Sequence, residues 1–300
     1  MADVEDLYRA QYGMDGRPFG VLADAELSYC GPGVVRAHAA LEYGLMTGAP
    51  FIVLTGDAGT GKTSLLLRIM ADADPAQRVV LMSGLRQGTG SVLPWVLQAL
   101  GEDIAADAAP TELFTRLQDA LIAEYAAGRR MVLVVDEAQS LSTAALDELR
   151  ILSNINTAAD QLLQVVLSGH SLLRDRLRAP ELLGLAQRVG VWAALPPLSR
   201  AALADYVAAR LAAVGGAEDL FEPAALSLIH SVTSGLPRSV NQLCEMTMIF
   251  ALSETAPTIG AALVQQVLEQ DMFLAPLAAA PDRPSGPATR PGRLRLASGA

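Results

Sequence analysis

A glycine-rich segment that ends in a lysine and a threonine carries the residue types needed to hold a nucleotide phosphate. It follows the apolar run 51–55, and its spacing, from Gly56 over four residues to Gly61, Lys62 and Thr63, is that of a P-loop. Glycines let backbone N–H groups face phosphate oxygens, the lysine reaches the β- and γ-phosphates, and the threonine hydroxyl ligates Mg²⁺. The predicted nucleotide-binding residues are Gly56, Asp57, Ala58, Gly59, Thr60, Gly61, Lys62, Thr63 and Ser64.

An acidic pair follows a second apolar run. Residues 131–135 are all apolar, as in strands buried on both faces of a sheet, and Asp136 and Glu137 come directly after them. We predict that Asp136 holds Mg²⁺ together with Thr63, and that Glu137 polarises the attacking water. The alternative is an ordinary polar strand end, but the P-loop earlier in the chain favours a catalytic pair.

Three single residues complete the predicted catalytic set. His170 follows a strand, where it could sense the γ-phosphate with Ser168 as an alternative donor, or merely start a helix. Arg188 precedes the last strand, where it could reach the site of a neighbouring subunit or simply be solvated. Arg238 follows a glycine and a proline at a helix start, where it could close onto the phosphates or pair with a surface carboxylate. The predicted catalytic residues are Glu137, Lys62, His170, Arg188 and Arg238.

Short apolar strands alternate with helices through the middle of the chain, and this order predicts how the candidate residues are positioned. A strand, a glycine turn and a helix surround the P-loop, which argues against a chance match in a glycine turn. The alternation predicts an α/β fold with a parallel sheet, helices on both faces, and a ligand at the carboxyl ends of the strands. The five predicted strands are 51–55, 78–83, 131–135, 162–167 and 189–195.

The chain divides by composition and periodicity into four segments. Residues 1–50 contain a turn-rich stretch with aromatic side chains, which must pack against a larger folded unit. We expect this segment to pack on the α/β core. Residues 51–197 form that core, and residues 198–272 carry only helical signals, so they predict a small helical lid. Residues 273–300 are rich in proline, alanine and arginine without apolar periodicity, which predicts a disordered tail.

The composition of the chain limits which class of protein it can be and in which cellular compartment we expect it. The 300-residue chain is 51% hydrophobic and has no apolar run of the roughly 18 to 20 residues that a membrane span needs. Its start lacks a signal peptide, and Cys30 and Cys244 lack metal spacing, so we predict a cytoplasmic protein with reduced, partly buried thiols. The net charge of −10 argues against a protein whose whole surface binds nucleic acid. A local basic patch is compatible with this net charge.

Six segments together resemble the AAA+ ATPases of the general secretion pathway A, or ExeA-like, family, which includes ATPases beside exosortase and polysaccharide-export loci. The resemblance extends from about Tyr12 to Gln270 and also covers the opening Tyr12-Gly through Pro18-Phe19. The segments are Gly56-Asp-Ala-Gly-Thr-Gly-Lys-Thr63, Val134-Val-Asp-Glu-Ala-Gln-Ser-Leu141, Leu149-Arg-Ile-Leu-Ser-Asn154, Val166-Leu-Ser-Gly-His170, Leu185-Ala-Gln-Arg188 and Gly235-Leu-Pro-Arg238.

The resemblance implies ATP and Mg²⁺ as cofactors, an ATPase core with a helical lid, and assembly into a ring. It further implies sensor 1 near His170, sensor 2 at Arg238 and an arginine finger at Arg188. His170 stands where relatives usually have glutamine, and a short basic tail stands where secretion members carry a membrane segment and a peptidoglycan-binding region. The implied function is ATP hydrolysis that changes the conformation of an oligomer or of a protein partner at an envelope secretion or polysaccharide-export system.

Two other functions fit the same residues. A DNA-associated AAA+ regulator of transposition or replication would need basic residues clustered on one face, and the acidic balance disfavours nucleic acid as a partner. A nucleotide-dependent scaffold that hydrolyses slowly would share the whole pocket and differ only in rate. Attachment to the inner membrane would require a partner, because no membrane span is predicted.

Overall fold

A computed structural model describes residues 4–20, 31–84, 90–105, 107–156, 161–270 and 272–273. The strands within these residues are β1 (Phe51–Thr55), β2 (Gln77–Met82), β3 (Arg130–Val135), β4 (Leu163–Gly169) and β5 (Val189–Ala194). The helices are α1 (Val4–Tyr12), α2 (Pro32–Met46), α3 (Lys62–Ala71), α4 (Leu93–Ala99), α5 (Pro110–Ala126), α6 (Thr143–Leu152), α7 (Leu172–Leu177), α8 (Leu183–Ala186), α9 (Arg200–Ala212), α10 (Pro223–Thr233), α11 (Pro237–Ser253) and α12 (Ala261–Glu269).

The five strands form one parallel sheet in the order β2-β3-β4-β1-β5. Thr55 pairs with Gly169 of β4 on one side and with Ala194 of β5 on the other, so the carboxyl ends of these strands lie at one edge of the sheet. The predicted α/β fold with a parallel five-stranded sheet is confirmed. Each strand lies close to its predicted position, because continuous apolar runs are typical of strands covered on both faces.

Both faces of the sheet are covered by helices, and the side chains of β3 show why. Val132 and Val134 pack with α2 and α3 on one face, whereas Leu133 and Val135 pack with α4, α5 and α6 on the other. Successive strand residues point to opposite faces, so a strand buried on both sides must be apolar throughout. Between β4 and β5 the chain forms α7, a 3₁₀ turn at Pro180–Leu182 and α8 rather than one continuous helix, because Pro180 cannot continue a helix.

The helices α9 to α12 build a second core of their own. The hydroxyl of Ser199 caps α9 by accepting a hydrogen bond from the Ala202 N–H at 3.2 Å. Leu203 and Val207 of α9 are completely buried against apolar residues of α10, α11 and α12. The predicted helical region after the α/β core is therefore present.

The N-terminal segment divides between the two cores, which corrects our expectation that all of residues 1–50 pack on the α/β core. Helix α2 lies against β5 and β1, as expected. In contrast, Tyr8, Met14 and Phe19 are completely buried within the core of α9 to α12. The aromatic side chains of this turn-rich stretch must pack against a larger folded unit. The helical core is that unit, because α9 to α12 leave apolar surface that these side chains cover.

A buried ion pair fastens the N-terminal segment to α11. The Arg17 guanidinium lies 2.7 Å from the Glu245 carboxylate, whose side chain is only 4% exposed. The Tyr8 hydroxyl donates a hydrogen bond to the same carboxylate at 3.3 Å, and burial together with this negative charge raises the pKa of Tyr8. Since a buried charge is stable only when paired, the buried Glu245 carboxylate requires the half-exposed Arg17 guanidinium.

The structure bears on some of the expectations about membrane spans, cysteines and the C-terminal tail, and others lie outside the described residues. Within the described residues, no helix combines the length and apolarity required to cross a membrane. Cys244 is completely buried, and burial raises the pKa of its thiol. Cys30 and residues 274–300, which include nearly all of the predicted disordered tail, lie outside the described residues.

We expect Arg17→Ala to lower the free energy of unfolding by about 1–3 kcal/mol, because it leaves the Glu245 carboxylate buried without its partner. The matched control is Arg9→Ala, whose ion pair with Asp15 is exposed and should contribute less than about 1 kcal/mol. Urea unfolding followed by circular dichroism measures both. An equal loss in the two variants would show that the buried pair does not fasten the segment.

Candidate nucleotide-binding site

The P-loop lies at the carboxyl edge of the sheet and opens into a cavity of about 710 Å³. The loop runs from the end of β1 to Gly61, the residue before the first turn of α3. The start of α2 and the connection from β5 to α9 form further walls, and α9 and α11 close the cavity from the helical side. The α/β core and the helical core therefore share one concave site, which is where ligands bind in open parallel sheets.

The tip of the P-loop touches the start of α11. The backbone N–H of Arg238 donates a hydrogen bond to the Gly59 carbonyl at 3.1 Å, and the exposed Arg238 side chain lines the cavity. Gly59 has φ +83°, and a Cβ there would lie 2.9 Å from the Cβ of Arg238. Only glycine combines this backbone conformation with this close approach. The predicted sensor residue is thus placed beside the loop.

Lys62 is buried inside the loop that it follows. Its ammonium donates hydrogen bonds to the carbonyls of Gly56 at 2.9 Å and Asp57 at 3.1 Å, and the residue is 6% exposed. Burial lowers the pKa of Lys62, and the negative charges of Glu137, Asp136 and Asp57 partly oppose this shift. The cation is therefore held at the centre of the loop by weak neutral acceptors that a phosphate can replace.

Asp136 joins three elements of the fold. The hydroxyl of Thr63, from α3, donates to its Oδ2 at 2.7 Å, and the hydroxyl of Ser168, from β4, donates to its Oδ1 at 2.8 Å. Asp136 is 6% exposed and Ser168 is completely buried. A hydroxyl and a carboxylate in contact, at the edge of a phosphate-binding loop, are oxygen ligands of the kind that Mg²⁺ takes from proteins. The residues present therefore fit the predicted magnesium site.

Glu137 leaves β3 in an unusual conformation. Its φ of +56° turns the exposed side chain out of the strand direction and to the wall of the cavity. The carboxylate accepts a hydrogen bond from the Nε2 of Gln139, a residue that sequence reasoning missed. The signal available was only that Gln139 lies two positions after the acidic pair. A positive φ at a residue other than glycine often marks a functional site.

His170 contacts the P-loop through Asp57. The Nε2 of His170 lies 3.6 Å from the Asp57 carboxylate, which also accepts a hydrogen bond from the Ser171 hydroxyl at 2.8 Å. The side chain of Asp57, predicted to bind nucleotide, is thus directed toward the turn between β4 and α7. Ser171 gave no sequence signal, because its role depends on the pairing of β4 with β1.

Arg188 is the one predicted residue that the fold places far from its own P-loop. It precedes β5, whose Val189 pairs with Phe51 at the start of β1, so the length of β1, about 17 Å at about 3.3 Å per residue, separates it from Gly56. Its guanidinium donates to the Ser153 hydroxyl at 2.6 Å and to the Asn154 side chain at 2.5 Å, just beyond α6. Arg188 cannot reach the phosphates of its own subunit.

The helical wall of the cavity contains residues that no pattern indicated. The Tyr206 hydroxyl of α9 donates to the Asn241 side chain of α11 at 2.6 Å, and the Arg210 guanidinium lies 6.0 Å from the Tyr206 ring. All three line the cavity. They come from two helices that the sequence alone could not orient toward the P-loop.

Comparison with known proteins agrees with this arrangement. The family model described as an AAA domain matches residues 45–177. General secretion pathway protein A from Aeromonas hydrophila is 34% identical over 247 residues, which are 82% of this chain and 45% of that protein. The chain belongs to the general secretion pathway A group of AAA+ proteins. The predicted family is thereby confirmed, and this AAA+ chain spans less than half the length of its curated relative.

Solved structures of other AAA+ proteins share the fold. ORC2 of Aeropyrum pernix, in ADPNP–ADP complexes, aligns with a TM-score of 0.60 and 18% identity over 85% of this chain and 71% of its own. Cdc6p of Pyrobaculum aerophilum aligns with a TM-score of 0.62 and 18% identity over 79% of this chain and 68% of its own. Identities this low establish a shared fold and nothing further.

We expect the stability of the nucleotide-free AAA+ protein to depend on pH through Lys62. Since the folded-state pKa of Lys62 lies below the ordinary 10.5, the folded state binds fewer protons than the unfolded state between the two values. Raising the pH through this window should therefore stabilise the wild type relative to Lys62→Met, which has no titrating group there. Urea unfolding of both proteins at several alkaline pH values measures the difference. A difference that stays constant with pH would contradict the burial of the ammonium.

Proposed function

We propose that this AAA+ protein binds ATP with Mg²⁺ in the shared cavity and hydrolyses it to ADP and phosphate. The observation that carries the proposal is the 2.7 Å contact between Thr63 Oγ1 and Asp136 Oδ2. Glu137, the residue after Asp136, lines the same cavity as the P-loop. These residues support a site in which phosphate donors, metal ligands and a water-polarising carboxylate converge, as hydrolysis of a phosphoanhydride requires.

The phosphate-binding step rests on Lys62 and the loop backbone. The ammonium would exchange its two carbonyl acceptors for the β- and γ-phosphates, gaining charge-assisted hydrogen bonds. The N-terminal end of α3 adds a favourable field for the anion. Thr63 and Asp136 would hold the magnesium ion, which, when bound, neutralises negative charge on the phosphates.

The hydrolytic step rests on Glu137, with Ser168 and His170 in support. Glu137 would accept a hydrogen bond from the attacking water and orient it toward the γ-phosphate. Ser168 donates to Asp136 and so keeps that carboxylate directed toward the metal site. His170, 3.6 Å from Asp57, would respond to displacement of the loop by a γ-phosphate. The other predicted binding residues, from Ala58 to Ser64, supply the loop that surrounds the phosphates.

Lid movement is the proposed mechanical output. Residues 51–197 would act as the ATPase domain and residues 198–272, with Tyr8, Met14 and Phe19 packed among them, as the lid. The contact between the Arg238 N–H and Gly59 already joins the lid to the loop. The Arg238 guanidinium would close onto the phosphates and would be released after hydrolysis, so that nucleotide state sets the lid position.

We propose a cytoplasmic role at the cell envelope, by extension from the relative. The name of that relative places it in general secretion, and this chain is similar to less than half of it. We propose that hydrolysis changes the conformation of an oligomer or of a protein partner at a secretion or polysaccharide-export system. Regulation on DNA is less well supported, because the ORC-type likeness concerns fold alone and the net charge is −10.

Assembly into a ring would give Arg188 its role. Because the chain places Arg188 about 17 Å from its own P-loop, it could serve only a neighbouring subunit's nucleotide. Its hydrogen bonds to Ser153 and Asn154 hold the side chain at the surface beyond α6, where a neighbour could dock. The ring is therefore proposed as the form in which ATP is hydrolysed, with one Arg188 at each shared site.

Glu137→Gln should bind ATP with wild-type affinity and lose at least about 100-fold in turnover, because an amide cannot polarise the water. Lys62→Ala should lose binding itself, since it removes the cation between the phosphates. Calorimetric titration with ATP and Mg²⁺, together with phosphate release, separates the two effects. Normal turnover by Glu137→Gln would rule out this assignment, and a wild type that binds without hydrolysing would favour the slow scaffold.

Arg188→Ala should lower turnover by roughly 10³-fold while leaving ATP binding intact, because the finger would act on the neighbour's site. Mixing it with Glu137→Gln is the sharper measurement, since one variant supplies intact active sites and the other intact arginines. We expect the mixture to hydrolyse faster than the sum of its components. Asn154→Ala, which keeps Arg188 but removes one anchor, is the matched control for stability. A mixture without gain would contradict action between subunits.

A further inference from the structure

Gln139 bridges the acidic pair and the turn after β4. Its Nε2 donates a hydrogen bond to the Glu137 carboxylate, and its Oε1 accepts one from the backbone N–H of His170 at 2.9 Å. These partners fix the orientation of the amide, because exchanging the nitrogen and oxygen atoms would place two donors together and two acceptors together. One side chain therefore connects the predicted water-polarising residue to the predicted sensor turn.

The backbone around Gln139 is anchored independently of this bridge. Gln139 lies in the 3₁₀ turn Ala138–Ser140, and Ala138 is completely buried. The Arg176 guanidinium of α7 donates to the Gln139 carbonyl and, at 2.8 Å, to the Leu141 carbonyl. Because the main chain is held from both the core and α7, the amide reaches Glu137 from a fixed starting point.

Gly169 provides the space that the amide occupies. A Cβ at this position would lie 2.5 Å from Gln139 Oε1, closer than two such atoms approach without displacement. Thr55 of β1 pairs with the same glycine, so the bridge ends on the strand next to the P-loop strand. The adjoining residues His170 and Ser171 contact Asp57 of the loop.

We infer that Gln139 is a positioning residue that orients Glu137 and links its orientation to the turn that contacts the P-loop. The inference rests on the proposed ATPase function and deepens it. A group that polarises water must be held within a fraction of an ångström, and the side chain of Glu137 is exposed, so a hydrogen bond from Gln139 can restrict it. Displacement of the turn when the loop closes on phosphate would shift the amide and, with it, the carboxylate.

Two variants separate the ends of the bridge. Gln139→Glu keeps the side-chain length and can still accept from the His170 N–H, but it cannot donate to Glu137 and places two carboxylates together. Gln139→Leu loses both contacts at similar volume. Gln98→Leu, on the exposed side of α4, is the control for the same change of chemistry. ATP affinity and thermal unfolding of each variant establish that the fold and the P-loop are intact.

Turnover should fall about 10- to 100-fold in both Gln139 variants, with the KM for ATP within about twofold of wild type. Because Gln139 acts through Glu137, adding Gln139→Leu to Glu137→Gln should lower turnover no further. Hydrogen exchange at the His170 amide should accelerate in Gln139→Leu and remain near wild type in Gln139→Glu. Wild-type turnover in Gln139→Glu, an additive loss in the double variant, or unchanged exchange in Gln139→Leu would each overturn the inference.

Failure of the proposed ATPase function can be distinguished from failure of the inference about Gln139. A wild-type protein that binds ATP without hydrolysing it would contradict the ATPase assignment. In that case the side-chain carboxyl ¹³C shift of Glu137 and the His170 exchange rate, compared between wild type and Gln139→Leu, decide whether the bridge orients Glu137. If both the ¹³C shift and the exchange rate change, the bridge is supported. If both stay as in the wild type, the inference that Gln139 orients Glu137 is overturned.

Discussion

The site depends on one buried carboxylate that three parts of the chain share. Asp136 directly follows β3 and accepts hydrogen bonds from Thr63 at the start of α3 and from Ser168 on β4. A nearly inaccessible anion is tolerated only when donors surround it, and these two hydroxyls supply them. The carboxylate therefore fixes the distance between the P-loop helix and two neighbouring strands, so the fold and the proposed metal site are stabilised by the same contacts.

Much of the fold could be predicted from the sequence, because the decisive signals are local. The run before Asp136 is apolar throughout and the run before Gly56 is apolar up to Thr55, as is typical of strands covered on both faces. Helix starts are local as well, since the hydroxyls of Ser142 and Ser199 accept hydrogen bonds from backbone N–H groups in the first turns of α6 and α9. The P-loop and the acidic pair were predicted together because parallel strands bring their carboxyl ends to one edge. Spacing within short segments was sufficient for each of these inferences.

The features that sequence reasoning missed depend on contacts between distant segments. Gln139 gains its second partner, the backbone N–H of His170, only when β4 lies beside β3. Tyr206 and Asn241 meet only once α9 and α11 are both folded into the same helical core. The location of the N-terminal segment was wrong for the same reason, since aromatic turns indicate burial but not the surface that provides it. Periodicity reports which face of an element is buried, and it does not identify the neighbour.

The burial of Tyr8, Met14 and Phe19 among α9 to α12 has a consequence for how the chain is made. Tyr8 and Glu245 are 237 positions apart, so the core around them has very high contact order. At ribosomal rates of about 5–20 residues per second, the aromatic side chains near the N-terminus would leave the ribosome roughly 10 to 50 seconds before their partners in α11. The helical core can be completed only after α11 and α12 have been synthesised, and the α/β core, assembled from residues that precede them, can form first.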